Sequence, residues 1–85
     1  MYAVVSFRSR NDAYSFFNIL ISQGIPSKII DTPKEILSSC SLSLQFDTAY
    51  MDKVRLIESR IKYASFVGFF RVTEMGSNRI VQQIY

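Results

Sequence analysis

Two rhythms of apolar and polar positions run along this 85-residue chain, and the switches between them lay out its elements. Tyr2 to Phe7 is a short run of Val and aromatic residues closed by the polar Arg8-Ser9-Arg10-Asn11-Asp12, which predicts a buried strand leading into a helix. Ser9, Asn11 and Asp12 are each able to cap that helix. Ala13, Phe16, Phe17, Leu20 and Ile21 then recur as one helical stripe, and Gly24 follows where a left-handed terminus is expected. Ile25-Pro26 restarts the chain in an extended segment that continues through Ser27 to Ile30. Pro26, at the first strand position, lacks a ladder donor, which predicts an edge strand.

After a polar segment from Asp31, the residues Leu42, Leu44 and Phe46 alternate with Ser41, Ser43 and Gln45, a period of two that gives a strand one apolar face. Asp47 or Thr48 caps a second helix, with Tyr50, Val54, Ile57, Ile61 and Ala64 at helical spacing and Glu58 and Lys62 standing at i and i+4. Phe66 to Val72 reads as a last core strand, where Gly68 marks a bulge or the close approach of another backbone. The order β-α-β-β-α-β predicts an α+β, ferredoxin-like fold: a four-stranded antiparallel sheet with two helices on one face, connected by right-handed crossovers. The other face is then open. Glu74 to Asn78 reads as a turn. The helix and strand signals of Arg79 to Tyr85 balance, so that segment is expected to add an extra C-terminal strand, cover the open face or meet a second copy. The length corresponds to a single domain over residues 1–85, with a core at 2–73 and an extension at 74–85.

Composition narrows the function classes. Hydrophobic residues at 48% and aromatic ones at 14% supply a core of the size this length allows. The net charge of +3 is spread, and its densest part, Lys53, Arg55, Arg60 and Lys62, is diluted by Asp52 and Glu58, which argues against nucleic acid. Neither Leu42 to Phe46 nor Phe66 to Val72 carries the aromatic pattern of an RNA-binding sheet. No apolar run approaches the roughly 20 residues of a membrane helix, and the start lacks the basic and apolar regions of a signal peptide. A single cysteine closes no internal disulfide, so the expected setting is reducing and cytoplasmic, without a membrane partner. The chain has no His, which excludes Ser-His-Asp and Cys-His catalysis and, with one Cys, a structural zinc site. Its three glycines are far apart, so there is no phosphate-binding loop. A self-contained enzyme with its own metal or cofactor is not expected.

The chemistry concentrates between the second and third strands. Thr32, Pro33 and Glu35 have the form of a capping box with Pro at the first helical position, which predicts a short helical turn beginning at Thr32. Cys40 follows, and Ser38, Ser39 and Ser41 surround it with small hydroxyls able to donate to an anion. A cysteine reacts as its thiolate, and its ordinary pKa of about 8.5 must fall for that form to dominate at neutral pH. Lys34 is a solvated charge that also favours an anion or an acidic partner. From the residues alone, Cys40 is a carrier thiol, a redox-sensitive thiol or a buried packing residue.

The segment Thr32-Pro33-Lys34-Glu35-Ile36-Leu37-Ser38-Ser39-Cys40, followed by the alternating Leu42 to Phe46, resembles the selenium/sulfur carrier protein-like family of small bacterial domains. The likeness takes in the opening strand, the Gly24-Ile25-Pro26 turn and the second helix, over residues 2 to 73. Pro33, Lys34, Ser38, Ser39 and Cys40 match, whereas Ser41 stands where the family usually has Gly, a residue that permits positive φ or close approach. Asp31 likewise stands where an apolar residue or Pro is common. The resemblance implies that Cys40 holds sulfur as a persulfide, or selenium in the corresponding form, between a protein donor and a protein acceptor. The alternative is a non-catalytic module of the same fold that binds a protein or a small ligand. Phe66, Phe69, Phe70, Ile80, Ile84 and Tyr85 would supply its apolar contacts, with a homodimer as the simplest cover for the open face.

Overall fold

The computed structural model of the protein describes residues 1–36 and 41–85. Its elements run β1 (Tyr2–Phe7), α1 (Arg10–Ser22), β2 (Ser27–Asp31), β3 (Leu42–Phe46), a 3₁₀ turn (Thr48–Tyr50), α2 (Met51–Ile61), β4 (Phe66–Met75) and β5 (Asn78–Gln83). The strands form one antiparallel sheet in the order β2-β3-β1-β4-β5. Its first four strands have the expected ferredoxin-like order, and β5 is the extra C-terminal strand. Pairing with β4 decides between the balanced signals of residues 79–85, because the ladder satisfies the backbone of β5 on one side.

Local chemistry accounts for most boundaries. Ser9 caps α1 by accepting the Asp12 N–H at 3.3 Å, and Gly24 takes φ 75 just beyond the helix end. Pro26 lies before β2, not inside it. Asp47 caps the 3₁₀ turn by accepting the Ala49 N–H at 2.9 Å, so α2 itself begins only at Met51. It also ends earlier than its apolar spacing predicts, because Lys62 adopts a left-handed conformation at φ 58 and stops the helix before Ala64. The Glu58–Lys62 pair is therefore not formed; the buried Glu58 carboxylate instead accepts the Tyr63 N–H at 3.3 Å. The expected turn at Glu74 to Asn78 shrinks to Gly76-Ser77, with Gly76 at φ 63 as a two-residue hairpin loop favours.

At Gly68 both expectations hold. Ser6 pairs with Gly68 but Phe7 with Phe66, which leaves Val67 as the extra residue of a bulge. A Cβ on Gly68 would also stand 2.8 Å from Gln83 Nε2 and 3.2 Å from the Tyr85 carbonyl.

The helices cover one face of the sheet. Ala3, Val5, Phe7, Leu42, Leu44, Phe46 and Phe69 meet Ala13, Phe16 and Leu20 of α1 and Val54 of α2 in one buried cluster. Edge-on rings organise its centre: Phe7 packs against Phe16 at 5.5 Å and Tyr63 at 5.3 Å between centroids. The opposite face is not open as expected. Val4, Phe70 and Val72 are buried on it, with Tyr2, Ile30, Ile36, Val67 and Val81 packed around them. Ile36 belongs to the β2–β3 connection, so the chain itself folds back over this face.

Candidate functional site

The β2–β3 connection starts as a continuation of the ladder. The Thr32 N–H donates to the Ser41 carbonyl at 3.2 Å, one rung beyond the Asp31–Leu42 pair. Pro33 is buried, and its carbonyl accepts the Ile36 N–H at 2.9 Å, closing a single turn. Ile36 then drops onto Val4, Phe70 and Val72. Glu35 is gripped by Arg79 of β5 through two bonds, Nε to Oε2 at 3.0 Å and Nη2 to Oε1 at 2.9 Å. Since β2 and β5 are the two edges of the sheet, residues 32–36 form a strap that leaves one edge and is tied to the other.

This geometry replaces the expected capping box. The Thr32 hydroxyl bonds the Ser43 hydroxyl at 2.7 Å instead of an amide of the following turn, and Glu35 reaches Arg79 instead of the Thr32 amide. A tertiary partner has taken each side chain from its local role. The Arg79 guanidinium beside it holds the Glu35 carboxyl below the usual carboxylate range, and Arg79 is raised in return. Both side chains are about two-fifths exposed, 40% for Arg79 and 39% for Glu35, so water screens the pair.

Beneath the strap lies a feature that the sequence reading did not single out. Ser43 of β3 bonds Ser6 of β1 at 2.7 Å as well as Thr32, making a buried row of three hydroxyls across three neighbouring segments. The alternation of Ser41 and Ser43 marks the face they occupy. Their meeting with Ser6 depends on the β1–β3 register, which no local pattern encodes.

Of the site residues expected from sequence, Pro33 is buried, Lys34 is exposed and Ser41 is only 4% exposed. Lys62 is the one non-glycine residue with positive φ among the described residues, so Ser41 occupies the usual Gly position without left-handed strain. Ser38, Ser39 and Cys40 lie outside the described residues. Among the described residues no group of acidic, His or Cys side chains is placed to hold a metal, and no helix is long and apolar enough to cross a membrane. Of the residues named for an interaction face, Phe69 and Phe70 are buried on opposite sides of the sheet and Phe66 and Ile84 are half-buried, while Ile80 and Tyr85 remain exposed. The Arg55 guanidinium covers the Tyr85 ring at 3.2 Å.

Fold and strap together define a class: a small ferredoxin-like module whose β2–β3 connection starts as a strap tied to the far edge of the sheet. A family model described as "Putative Se/S carrier protein-like" matches residues 2–67, and the chain belongs to this family. The match takes in the strap, Cys40 and the start of β4, and the family is named for a carrier, not for an enzyme. Comparison with curated proteins and with solved structures finds no match.

Proposed function

We propose that this protein carries sulfur, or selenium in the corresponding form, on Cys40 between a protein donor and a protein acceptor. The observation that carries this reading is the family match over residues 2–67, which encloses the one thiol of the chain and the strap that leads to it. In loading, the Cys40 thiolate attacks the outer sulfur of a donor persulfide. The donor's S–S bond breaks, its thiolate leaves, and the outer sulfur stays on Cys40 in a new S–S bond. Delivery repeats the exchange with an acceptor thiolate. Neither step needs an internal base once the thiolate is present, which suits a chain without histidine. The described residues that flank the segment are anchored, Ile36 on the sheet and Ser41 in the ladder, and the exposed Lys34 is available to an acidic partner. A carrier thiol of this kind works in a reducing compartment such as the cytoplasm.

Incubation with cysteine and a cysteine desulfurase is expected to add one sulfur to the intact mass, and Cys40→Ser is expected to abolish the gain. An unchanged mass, together with a Cys40 that resists thiol probes in the folded protein, overturns the reading.

A further inference from the structure

The two edges of the sheet are defended unequally. An edge strand carries unpaired N–H and C=O groups that attract another strand, and proteins blunt it with Pro, with charge or with brevity. At β2 all three are present: Pro26 stands just before the strand, Lys28 and Asp31 lie exposed in it, and it is five residues long. β5 runs for six residues, and its one charged side chain, Arg79, is already held by Glu35 of the same chain. No second strand flanks it among the described residues, and Ile80 stands 54% exposed on it.

The ladder settles which groups face outward. Phe69 and Tyr85 exchange both of their N–H···O bonds, at 3.4 and 3.3 Å. Ile84 is the extra residue of a bulge, since its N–H also donates to the Phe69 carbonyl, at 2.8 Å. Bonded and non-bonded pairs alternate from there along the ladder, so Arg79, Val81 and Gln83 turn their N–H and C=O away from β4.

We propose that β5 pairs antiparallel with β5 of a second copy about a two-fold axis at Val81, joining two five-stranded sheets into one of ten strands. A second copy is the occupant because this edge is complementary to itself. The register about Val81 is the one two-fold arrangement that engages all three outward-facing residues: Val81 meets Val81 of the second copy, and Arg79 meets its Gln83. The two Arg79 side chains then stand four positions apart along the ladder, about 14 Å, which exceeds the screening length of about 8 Å in physiological salt. No like charges oppose each other. An axis normal to the sheet keeps both strap faces on one side, so the dimer presents its two β2–β3 connections together. The contact is about 20 Å long and falls below the roughly 1,200 Å² of a standard interface, so the dimer is weak and exchanges. The net charge of +3 on each copy opposes association and no ion pair crosses the edge, so added salt strengthens it. None of this depends on the carrier reading.

Sedimentation equilibrium of the full chain at concentrations up to about 1 mM is expected to show a monomer–dimer equilibrium that tightens with salt. Ile80→Lys places two new charges at diagonal positions across the axis, about 7–8 Å apart, and is expected to weaken association by about tenfold. Gln83→Pro removes an outward donor, leaves the ladder to β4 in place, and weakens association too. Tyr14→Lys adds the same charge on the exposed side of α1 and leaves the dimer unchanged. Thermal melting at the parent value in each variant separates loss of pairing from loss of fold. In a Cys40→Ser background, Val81→Cys is expected to form an intermolecular disulfide across the Cα separation of about 5.5 Å of a bonded pair, faster than Ile80→Cys does from its diagonal position. A monomer at every concentration overturns the proposal. So does a dimer that Gln83→Pro leaves intact, because it docks through side chains and not through the strand edge. Equal weakening by Tyr14→Lys, or faster cross-linking at Ile80→Cys than at Val81→Cys, overturns pairing about Val81.

Discussion

The two faces of the sheet are closed in different ways. Under α1 and α2 the surface is apolar apart from the Glu58 carboxylate of α2, and Phe7, Phe16, Leu20 and Leu44 fill it by shape. The opposite face mixes Val4, Phe70 and Val72 with the Ser6–Ser43–Thr32 row and is closed by five residues of its own chain, 32–36. A face packed by two helices has little room for polar groups, since each must find a partner there, as Glu58 does in the Tyr63 N–H, or lose water uncompensated. A face closed by a strap can bury hydroxyls beside an apolar patch, because Thr32 of the strap supplies a partner to Ser43. The first face holds the larger apolar cluster, and the second holds a small apolar patch beside the buried hydroxyl row.

That division is tested most severely by Phe16→Ala. Removing a fully buried ring that contacts Phe7 and Tyr63 should cost about 3–5 kcal/mol, a large share of the roughly 5–15 kcal/mol that holds a domain together. Urea unfolding measures it, and a cost below that of Ser43→Ala would break the contrast between the faces. Ser43→Ala comes next, at about 1–3 kcal/mol, because it leaves both Ser6 and Thr32 without the partner they share. Adding Ser6→Ala to it should recover part of the loss, since one stranded hydroxyl is removed with it.

Arg79→Ala is expected to have the smallest effect on global unfolding, because the Glu35 pair is exposed and screened. Its signature is local: amide exchange at Ile36 should rise while that of α1 stays unchanged. The pair has a definite pH sign. The folded Glu35 carboxyl is held below its ordinary range, so its contribution is present above that range and is lost as the pH falls through the folded value. Parent and Arg79→Ala should therefore converge in acid, and also at high salt. A difference that persists in 1 M salt, where the screening length is about 3 Å, would show that the strap tie is not mainly electrostatic.

Much of the helix-covered face was legible from spacing. The helical stripe marks Ala13, Phe16 and Leu20, which are buried, although Ile21 at its edge is 49% exposed. The alternation marks the buried Leu42, Leu44 and Phe46, although Ser41 and Ser43 on the other face are buried as well. The strap was not legible. Thr32 and Glu35 have the form of a cap, and each is drawn away by a distant residue, Ser43 and Arg79, whose position is set by strand order. The end of α2 failed for a related reason: Ile61 and Ala64 continue the apolar period, but Lys62 turns left-handed so that Tyr63 can enter the core against Phe7 and Phe16.

By itself the sequence determined the order of the elements, the apolar face of each, the single thiol and the family to which its segment belongs. These are properties of neighbouring residues, carried by periodicity, caps and short motifs. The tertiary structure alone decided that the second sheet face is closed by residues 32–36, that residues 78–83 form a fifth strand, and that Ser6, Thr32 and Ser43 share hydrogen bonds. Each of these joins residues far apart in the chain through strand register, and register is fixed by the summed pairing and burial of the whole sheet rather than by any one stretch.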